Sequence, residues 1–161
     1  MITRRTLLAL GALTVASPAL AQAKAAVYPN PLAAVKAVYD PKVKDAQRPY
    51  SKSLRALYAA AQKKSRQLNE VVAGLDFDPT ISAQDNDENF RNTLHFSVEP
   101  RPNRNAVVTA RLRVFKDAPE TRIVYELSPE GEGYVIDDIV NPDPKEGWRW
   151  SKLLALGAKG Q

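Results

Sequence analysis

The sequence predicts an α+β protein in which N-terminal helices pack on an antiparallel sheet of about four strands. Apolar residues recur at helical spacing up to about residue 72. From residue 94 onwards the apolar residues alternate with polar ones, and short turn-forming segments separate the alternating runs. A helix stripe and a one-sided sheet each need an apolar partner, so packing one on the other buries both.

The first helix is predicted from its two ends. Asn30 is a favourable N-cap, and Pro31 fits the first helical position, where a missing N–H costs nothing. Pro41 disfavours a helical predecessor, so the helix should end near Asp40. The apolar residues between these ends have helical spacing: Leu32, Val35, Val38 and Tyr39.

A longer, amphipathic second helix should begin at a Ser51 or Ser53 cap and end near Gly74. Its apolar stripe comprises Leu54, Leu57, Tyr58, Ala61, Leu68 and Val72. Its other face is basic, with Lys52, Arg55, Lys63 and Arg66. Nucleic-acid surfaces usually place aromatic rings among the charges. Because Tyr58 lies on the apolar stripe instead, the basic face is predicted to be solvated or to meet an anionic envelope component, not a nucleic acid.

Four alternating runs predict the strands, at about residues 94–98, 108–114, 123–127 and 134–140. Turns are expected at residues 101–105, 116–120 and 128–133, which are rich in Pro, Gly, Asn and Asp. The closing segment "WRWSKLLAL" fits either a short helix or a final strand, and its two Trp residues should help to close the core.

The N-terminus has the pattern of a secretory signal peptide. Arg4 and Arg5 precede an apolar run from Leu7 to Leu20, and the small-x-small site "ALA" ends at Ala21. The run is too short for an ordinary membrane span. Adjacent arginines favour the twin-arginine route; the general secretion route and an uncleaved anchor are the alternatives. We expect residues 1–21 to be removed and residues 22–161 to form a single periplasmic or secreted domain without a membrane span.

Charge is distributed unevenly along this chain of net charge +5. Residues 22–68 carry 10 Lys and Arg against 2 Asp and Glu, whereas residues 69–161 carry 11 against 16. Opposite charges favour docking of the two parts on each other. The chain has no Cys, so it forms no disulfide and offers no thiol nucleophile.

The acidic loop "DFDPTISAQD", residues 76–85, admits three interpretations. Its carboxylates could bind calcium, but their spacing is not that of an EF-hand loop. They could take part in acid–base chemistry. We expect a structural clasp, in which Asp76 and Asp78 accept from nearby backbone N–H groups, Asp85 pairs with an Arg, and Phe77 and Ile81 anchor the loop by burial.

Residue types with dedicated chemistry are scarce. The single His, His95, lies on the polar side of its strand, and without Cys it cannot complete a usual zinc site. No nucleophile elbow or Gly-rich phosphate loop is present. We therefore assign no catalytic residue, metal ligand or cofactor. A pocket carboxylate at Asp138, assisted by Tyr58 or Tyr39, could act as a base. The alternative is that Asp138 binds an Arg or a backbone N–H.

Several motifs together resemble an exported bacterial family, domain of unknown function 3828. They are "LDFDP" and "AQD" after a basic helix, then "VYELSPEGEGYVIDDI" and "GWRWSKLLAL". Tyr134 stands where a Trp is commoner. The resemblance implies a fold like nuclear transport factor 2, a curved sheet wrapped by helices into a cone that often holds a pocket. Candidate pocket or clasp residues are Asp76, Asp78, Gln84, Asp85, Asp138 and Tyr58.

The family has no assigned activity, and a fold alone does not supply one. We predict a non-catalytic binding or interaction module in the periplasm, with a small ligand or an envelope protein as partner. The alternatives are a small cone-pocket enzyme of the isomerase or hydrolase type and a structural partner of another envelope protein. The oligomeric state stays open.

Overall fold

The computed structural model describes residues 28–161, which form three α-helices and one five-stranded antiparallel sheet. The predicted α+β class is confirmed. The predicted signal peptide lies outside the described residues. The helices are α1 (Pro31–Tyr39), α2 (Lys52–Leu68) and α3 (Trp150–Gly157), and the strands are β1 (His95–Pro100), β2 (Ala106–Leu112), β3 (Thr121–Glu130), β4 (Gly133–Asn141) and β5 (Trp148–Arg149).

The sheet is a meander with strand order β1-β2-β3-β4-β5. The sequence predicted about four strands; the fifth has only two residues, too few for an alternating pattern to reveal. The register of β3 against β4 shifts at one point: Glu126 pairs with Asp138, whereas Leu127 pairs with Ile136. Asp137 is therefore an extra residue in β4. Such a bulge bends the strand and redirects the side chains beside it.

Both predicted helix starts are present. The Asn30 side chain accepts a hydrogen bond from the N–H of Ala33 at 2.8 Å, and α1 ends at Tyr39, just before Asp40. Ser51 caps α2 by accepting from the N–H of Leu54 at 3.4 Å. These caps satisfy N–H groups that a first helical turn leaves without partners.

The prediction that α2 runs to Gly74 was wrong. The helix ends at Leu68, because Asn69 adopts the left-handed conformation with φ of 55° and donates back to the Ser65 carbonyl. Asn tolerates this conformation better than most residues and can end a helix as Gly does. Val72 is buried but lies beyond the helix, and Leu68 is 41% exposed. Two residues of the predicted apolar stripe, Leu68 and Val72, therefore do not belong to the buried face of this helix.

All three helices contact the sheet. Helix α1 contacts β1, β2 and β4, whereas α2 and α3 contact each other and β4. The core between these layers includes Leu54, Tyr125, Ile139 and Leu154. Strand β1 lies at the sheet edge, so its predicted apolar face is mostly uncovered: Phe96 is half-buried and Val98 is 43% exposed. Within residues 28–161 no helix is long and apolar enough to cross a membrane.

The closing segment contains both of its predicted alternatives. Trp148 and Arg149 form β5, and α3 begins at the next residue. Helix α3 then packs closely on the chain that follows α2: a Cβ added at Gly157 would lie 2.3 Å from the Ala73 carbonyl oxygen. Only glycine permits this approach, which keeps the segment before Gly74 against the last helix.

Candidate functional site

A cavity of about 360 Å³ lies where residues 45–50, helix α2, the loop at residues 74–79 and Trp150 meet. This volume falls in the lower part of the range for small-molecule pockets. Its lining contains four aromatic and three charged residues: Tyr50, Tyr58, Phe77 and Trp150, with Asp45, Arg48 and Asp78. A second, wider groove of about 540 Å³ beside Phe90 and Arg113 contains none of the predicted site residues.

Trp150 is the fixed centre of the aromatic lining. It is only 3% exposed, and its Nε1 donates to the Gly74 carbonyl at 2.8 Å. The ring of Tyr50 meets it edge-on at 5.4 Å between centroids, and the tilted ring of Tyr58 lies at 5.5 Å. Gly74 has φ of +79°, which favours glycine there. These contacts hold the rings in place without a ligand.

Arg48 and Tyr50 form the polar side of the cavity. The Arg48 Nη1 donates to the Tyr50 hydroxyl at 3.4 Å. Its Nε lies 3.2 Å from Asp45 Oδ1, yet this buried N–H makes no hydrogen bond within the described residues. The contact with Asp45 is therefore an ion pair of poor hydrogen-bond geometry. Burial raises the pKa of Tyr50 to about 12, although Arg48 opposes the shift. Tyr50 is thus a neutral phenol at ordinary pH.

Arg55 fixes the position of residues 46–50, which carry Arg48 and Tyr50. Its guanidinium donates to three backbone carbonyls: Tyr50 at 3.0 Å, Ala46 at 3.3 Å, and Arg48. The placement of Arg55 on a solvated basic face was wrong, because the side chain is half-buried and turned onto residues 46–50. Lys52, Lys63 and Arg66 are exposed, as predicted.

Asp78 is the predicted loop residue that reaches the cavity. Its Oδ1 accepts from the backbone N–H of Thr80 at 2.8 Å and from the Thr80 hydroxyl at 2.7 Å. Its backbone carbonyl accepts from the Ser82 N–H at 2.9 Å, which closes a tight turn. Its other oxygen, Oδ2, has no hydrogen-bond partner among residues 28–161. Asp78 therefore both shapes the turn and brings a carboxylate to the cavity.

The other candidate residues of this loop lie away from the cavity lining. Asp76 accepts from the N–H of Gly74 at 3.1 Å. Asp85 accepts from the N–H of its neighbour Asn86 at 2.8 Å. Asp85 does not form the ion pair with an Arg that the sequence allowed: within the described residues this local bond is its only side-chain hydrogen bond. Gln84 is exposed and makes no side-chain hydrogen bond with them.

Two anchors attach the loop to the rest of the molecule. Ile81 is buried, as predicted, whereas Phe77 is only half-buried. The Phe77 ring packs edge-on against Trp148 at 4.9 Å between centroids. The Trp148 Nε1 also donates to the Ser82 hydroxyl at 3.0 Å. The loop is thus held against strand β5.

Asp138 lies on the sheet and is not part of the cavity lining. It is 5% exposed and accepts from Arg149 Nη1 at 2.7 Å, from the Ser151 N–H at 3.0 Å and from the Ser151 hydroxyl at 2.6 Å. The carboxylate therefore binds an Arg and a backbone N–H, which was the alternative to a catalytic role. The structure does not bring Asp138 and Tyr58 together.

Tyr39, the other phenol considered for catalysis, is in the interior. Tyr125 donates to the Tyr39 hydroxyl at 2.8 Å, and Tyr39 donates to the Thr80 carbonyl at 2.8 Å. Burial raises the pKa of both tyrosines above the usual value, so both stay protonated. These rings and their hydroxyl chain fill the space between α1 and the sheet.

Sequence reasoning placed Tyr58 and Asp78 in a candidate pocket but missed Arg48, Tyr50 and Trp150. Tyr50 lies next to the Ser51 cap, and Arg48 is in a linker without periodicity. Neither position carries a pattern that relates it to Trp150, a hundred residues later in the chain.

No family model, no curated protein and no solved structure matches this chain. The functional argument therefore depends on the geometry of the cavity.

Proposed function

We propose that this chain is an exported, periplasmic, non-catalytic module that binds a small ligand in the cavity beside Trp150. The observation that carries the proposal is the fixed arrangement of the cavity walls. The rings of Tyr50 and Tyr58 each pack against Trp150, and Arg55 holds the backbone at Tyr50. A site that is ordered before binding loses less conformational entropy when its ligand arrives.

The same cavity gives no support to the enzyme alternative. The only His of the chain, His95, is exposed on the edge strand. Asp138, the proposed base, is bonded to Arg149 and Ser151 elsewhere on the sheet. General acid–base catalysis needs a titrating group within hydrogen-bond reach of the substrate. The cavity carboxylates, Asp45 and Asp78, are exposed, and the lining that the described residues form contains no His or Lys to act as an acid–base partner.

Membership of the domain of unknown function 3828 family, with a cone like that of nuclear transport factor 2, is part of the proposal. Two helices that precede an antiparallel meander support it, as does the bulge at Asp137, which bends β4. The cavity between helix α2, residues 45–50 and the loop at residues 74–79 is the pocket that such a cone would hold.

A fragment screen tests the binding function. Mature protein purified after export is titrated with a mixed library of small fragments, and binding is followed by ligand-observed NMR. Gln62 lines the cavity, so Gln62→Trp should fill it and weaken binding of the hits by at least about tenfold. Gln67→Trp, on the exposed side of the same helix, is the matched control and should bind like wild type. Hits that ignore Gln62→Trp, or the absence of any hit, would contradict the proposal.

A further inference from the structure

The charges that line the cavity do not balance. Arg48 is offset by Asp45, whose Oδ1 lies 3.2 Å from the Arg48 Nε. Asp78, the third charged residue of the lining, forms no ion pair within residues 28–161. Its Oδ1 is occupied by the two bonds from Thr80, and its Oδ2 is left for another partner. The lining therefore carries one carboxylate in excess.

Aromatic rings line the same cavity as this carboxylate. Phe77 directly precedes Asp78, and Tyr58 and Trp150 line the same cavity. Tyr58 and Phe77 are half-buried, so part of each ring is open to a ligand. The face of an aromatic ring attracts a cation, and several rings together form the cages that recognise quaternary ammonium groups. An anion would instead meet two carboxylates and the negative faces of the rings, with Arg48, already paired with Asp45, as the one cation of the lining within residues 28–161.

The polar group that a ligand can reach also decides between a cation and an anion. The Arg48 Nε is buried, so its N–H cannot meet a ligand without movement of the side chain. The Tyr50 hydroxyl already accepts from Arg48. Asp78 and Asp45 are exposed, whereas the Arg48 side chain is only 27% exposed, so a ligand meets the carboxylates more readily than the guanidinium.

From the excess carboxylate and the aromatic walls, and on the basis of the binding function proposed above, we infer that the cavity takes a small organic ammonium cation. The ammonium group lies against the rings of Tyr58 and Phe77, with Asp78 as its counter-charge. A cavity of about 360 Å³ has room for a trialkylammonium group with a short polar tail.

Three probes of nearly equal shape test the charge preference: choline, its neutral isostere 3,3-dimethylbutan-1-ol, and the anion 3,3-dimethylbutanoate. Their affinities for the mature protein are measured by NMR titration at constant ionic strength. Choline should bind at least about tenfold more tightly than the neutral alcohol, and the anion should bind most weakly. Equal affinity of choline and the alcohol, or a preference for the anion, would overturn the inference.

Asp78→Asn tests the counter-charge without removing the turn, since the amide oxygen can still accept from Thr80. It should weaken choline binding at least about tenfold and leave the alcohol unchanged. Asp76→Asn is the matched control: it removes a charge two residues away that does not line the cavity. The inference fails if Asp78→Asn keeps full choline affinity or if both variants lose it equally.

The two proposals fail in different ways. If the alcohol or the anion binds best and Gln62→Trp abolishes that binding, the cavity is a ligand site but not a cation site. If none of the three probes binds at millimolar concentration, the cation inference is overturned, while the fragment screen decides separately whether the cavity binds any ligand.

Discussion

Arg149 donates to Asp138 at 2.7 Å and also binds both carboxylate oxygens of Glu126 at 2.7 Å. One guanidinium therefore connects β3, β4 and β5. Asp138 lies opposite Glu126 because the bulge at Asp137 ends just before it. Asp138 also accepts from the backbone N–H of Ile139 and makes two bonds with Ser151, in the first turn of α3. The register of the sheet and the start of the last helix thus depend on the same carboxylate.

Loss of Asp138 should therefore be costly. Asp138→Ala removes four bonds and leaves Ile139, Arg149 and Ser151 short of a partner, so we expect the free energy of unfolding to fall by about 2–4 kcal/mol. Asp138→Asn should cost less, because its amide oxygen can still accept from Ser151. Urea unfolding measures both, with Asp137→Ala as the neighbouring control. Equal stability of the Ala and Asn variants would contradict this account.

The pH dependence of the same network follows from Glu126. Hydrogen bonds from Arg149 lower the pKa of Glu126, although partial burial opposes the shift. A lowered pKa stabilises the folded state above the ordinary glutamate pKa of 4.5, and this contribution disappears as the pH falls through the folded-state value. Because the pair is partly exposed, its contribution at pH 7 should not exceed about 1 kcal/mol.

Glu126→Gln should accordingly be less stable than wild type at pH 7 and pH 5, by a similar amount, and the difference should shrink at pH 3. Chemical denaturation at the three pH values measures it. A difference that persists unchanged at pH 3 would show that Glu126 acts through packing and not through its charge.

The buried hydrogen bonds from Tyr125 to Tyr39 and from Tyr39 to Thr80 predict that Tyr39→Phe and Tyr125→Phe cost different amounts of stability. Tyr39→Phe leaves the Tyr125 donor and the Thr80 carbonyl without their partner, so it should cost about 2–3 kcal/mol. Tyr125→Phe leaves the bond from Tyr39 to Thr80 intact and should cost about 1 kcal/mol. The double variant should cost less than the sum, since no Tyr125 donor is left buried. A larger loss in Tyr125→Phe, by thermal or urea unfolding, would refute this order.

In the acidic loop, Asp78 and Asp85 should differ. Asp78→Ala removes two bonds to Thr80 and should lower the free energy of unfolding by about 1–2 kcal/mol. Asp85→Ala removes one exposed local bond and should stay within about 0.5 kcal/mol of wild type. Added calcium should change neither melting temperature. A calcium-dependent rise that both variants lose would make the loop a metal site.

Export is tested at the N-terminus. Protein recovered from the envelope fraction should begin at Gln22, which intact-mass spectrometry can show. Replacing Arg4 and Arg5 together by Lys should block export if the twin-arginine route is used, because Lys keeps the charge but not the guanidinium pair. Unchanged export of this variant would favour the general secretion route, and an intact Met1 on the exported protein would refute cleavage.

Local patterns in the sequence were sufficient for the fold class and for several element boundaries. The Asn30 and Ser51 caps and the alternation that became β2, β3 and β4 depend on residues a few positions apart, and near neighbours in the chain determine backbone preference. The predicted and observed ends of α2 differ because two residues could each end that helix. Both Asn69 and Gly74 can end a helix, and the nearer one did so.

Tertiary structure decided everything that depends on residues far apart in the chain. It turned Arg55 onto the linker, placed Asp138 against Arg149 instead of in a pocket, and brought Tyr58, Asp78 and Trp150 to one cavity. No periodicity relates these positions, because their separation in space follows from how helices and strands pack, and not from their spacing along the chain. The sequence by itself determined which elements form; the packing of those elements determined which side chains meet and hence where a ligand can bind.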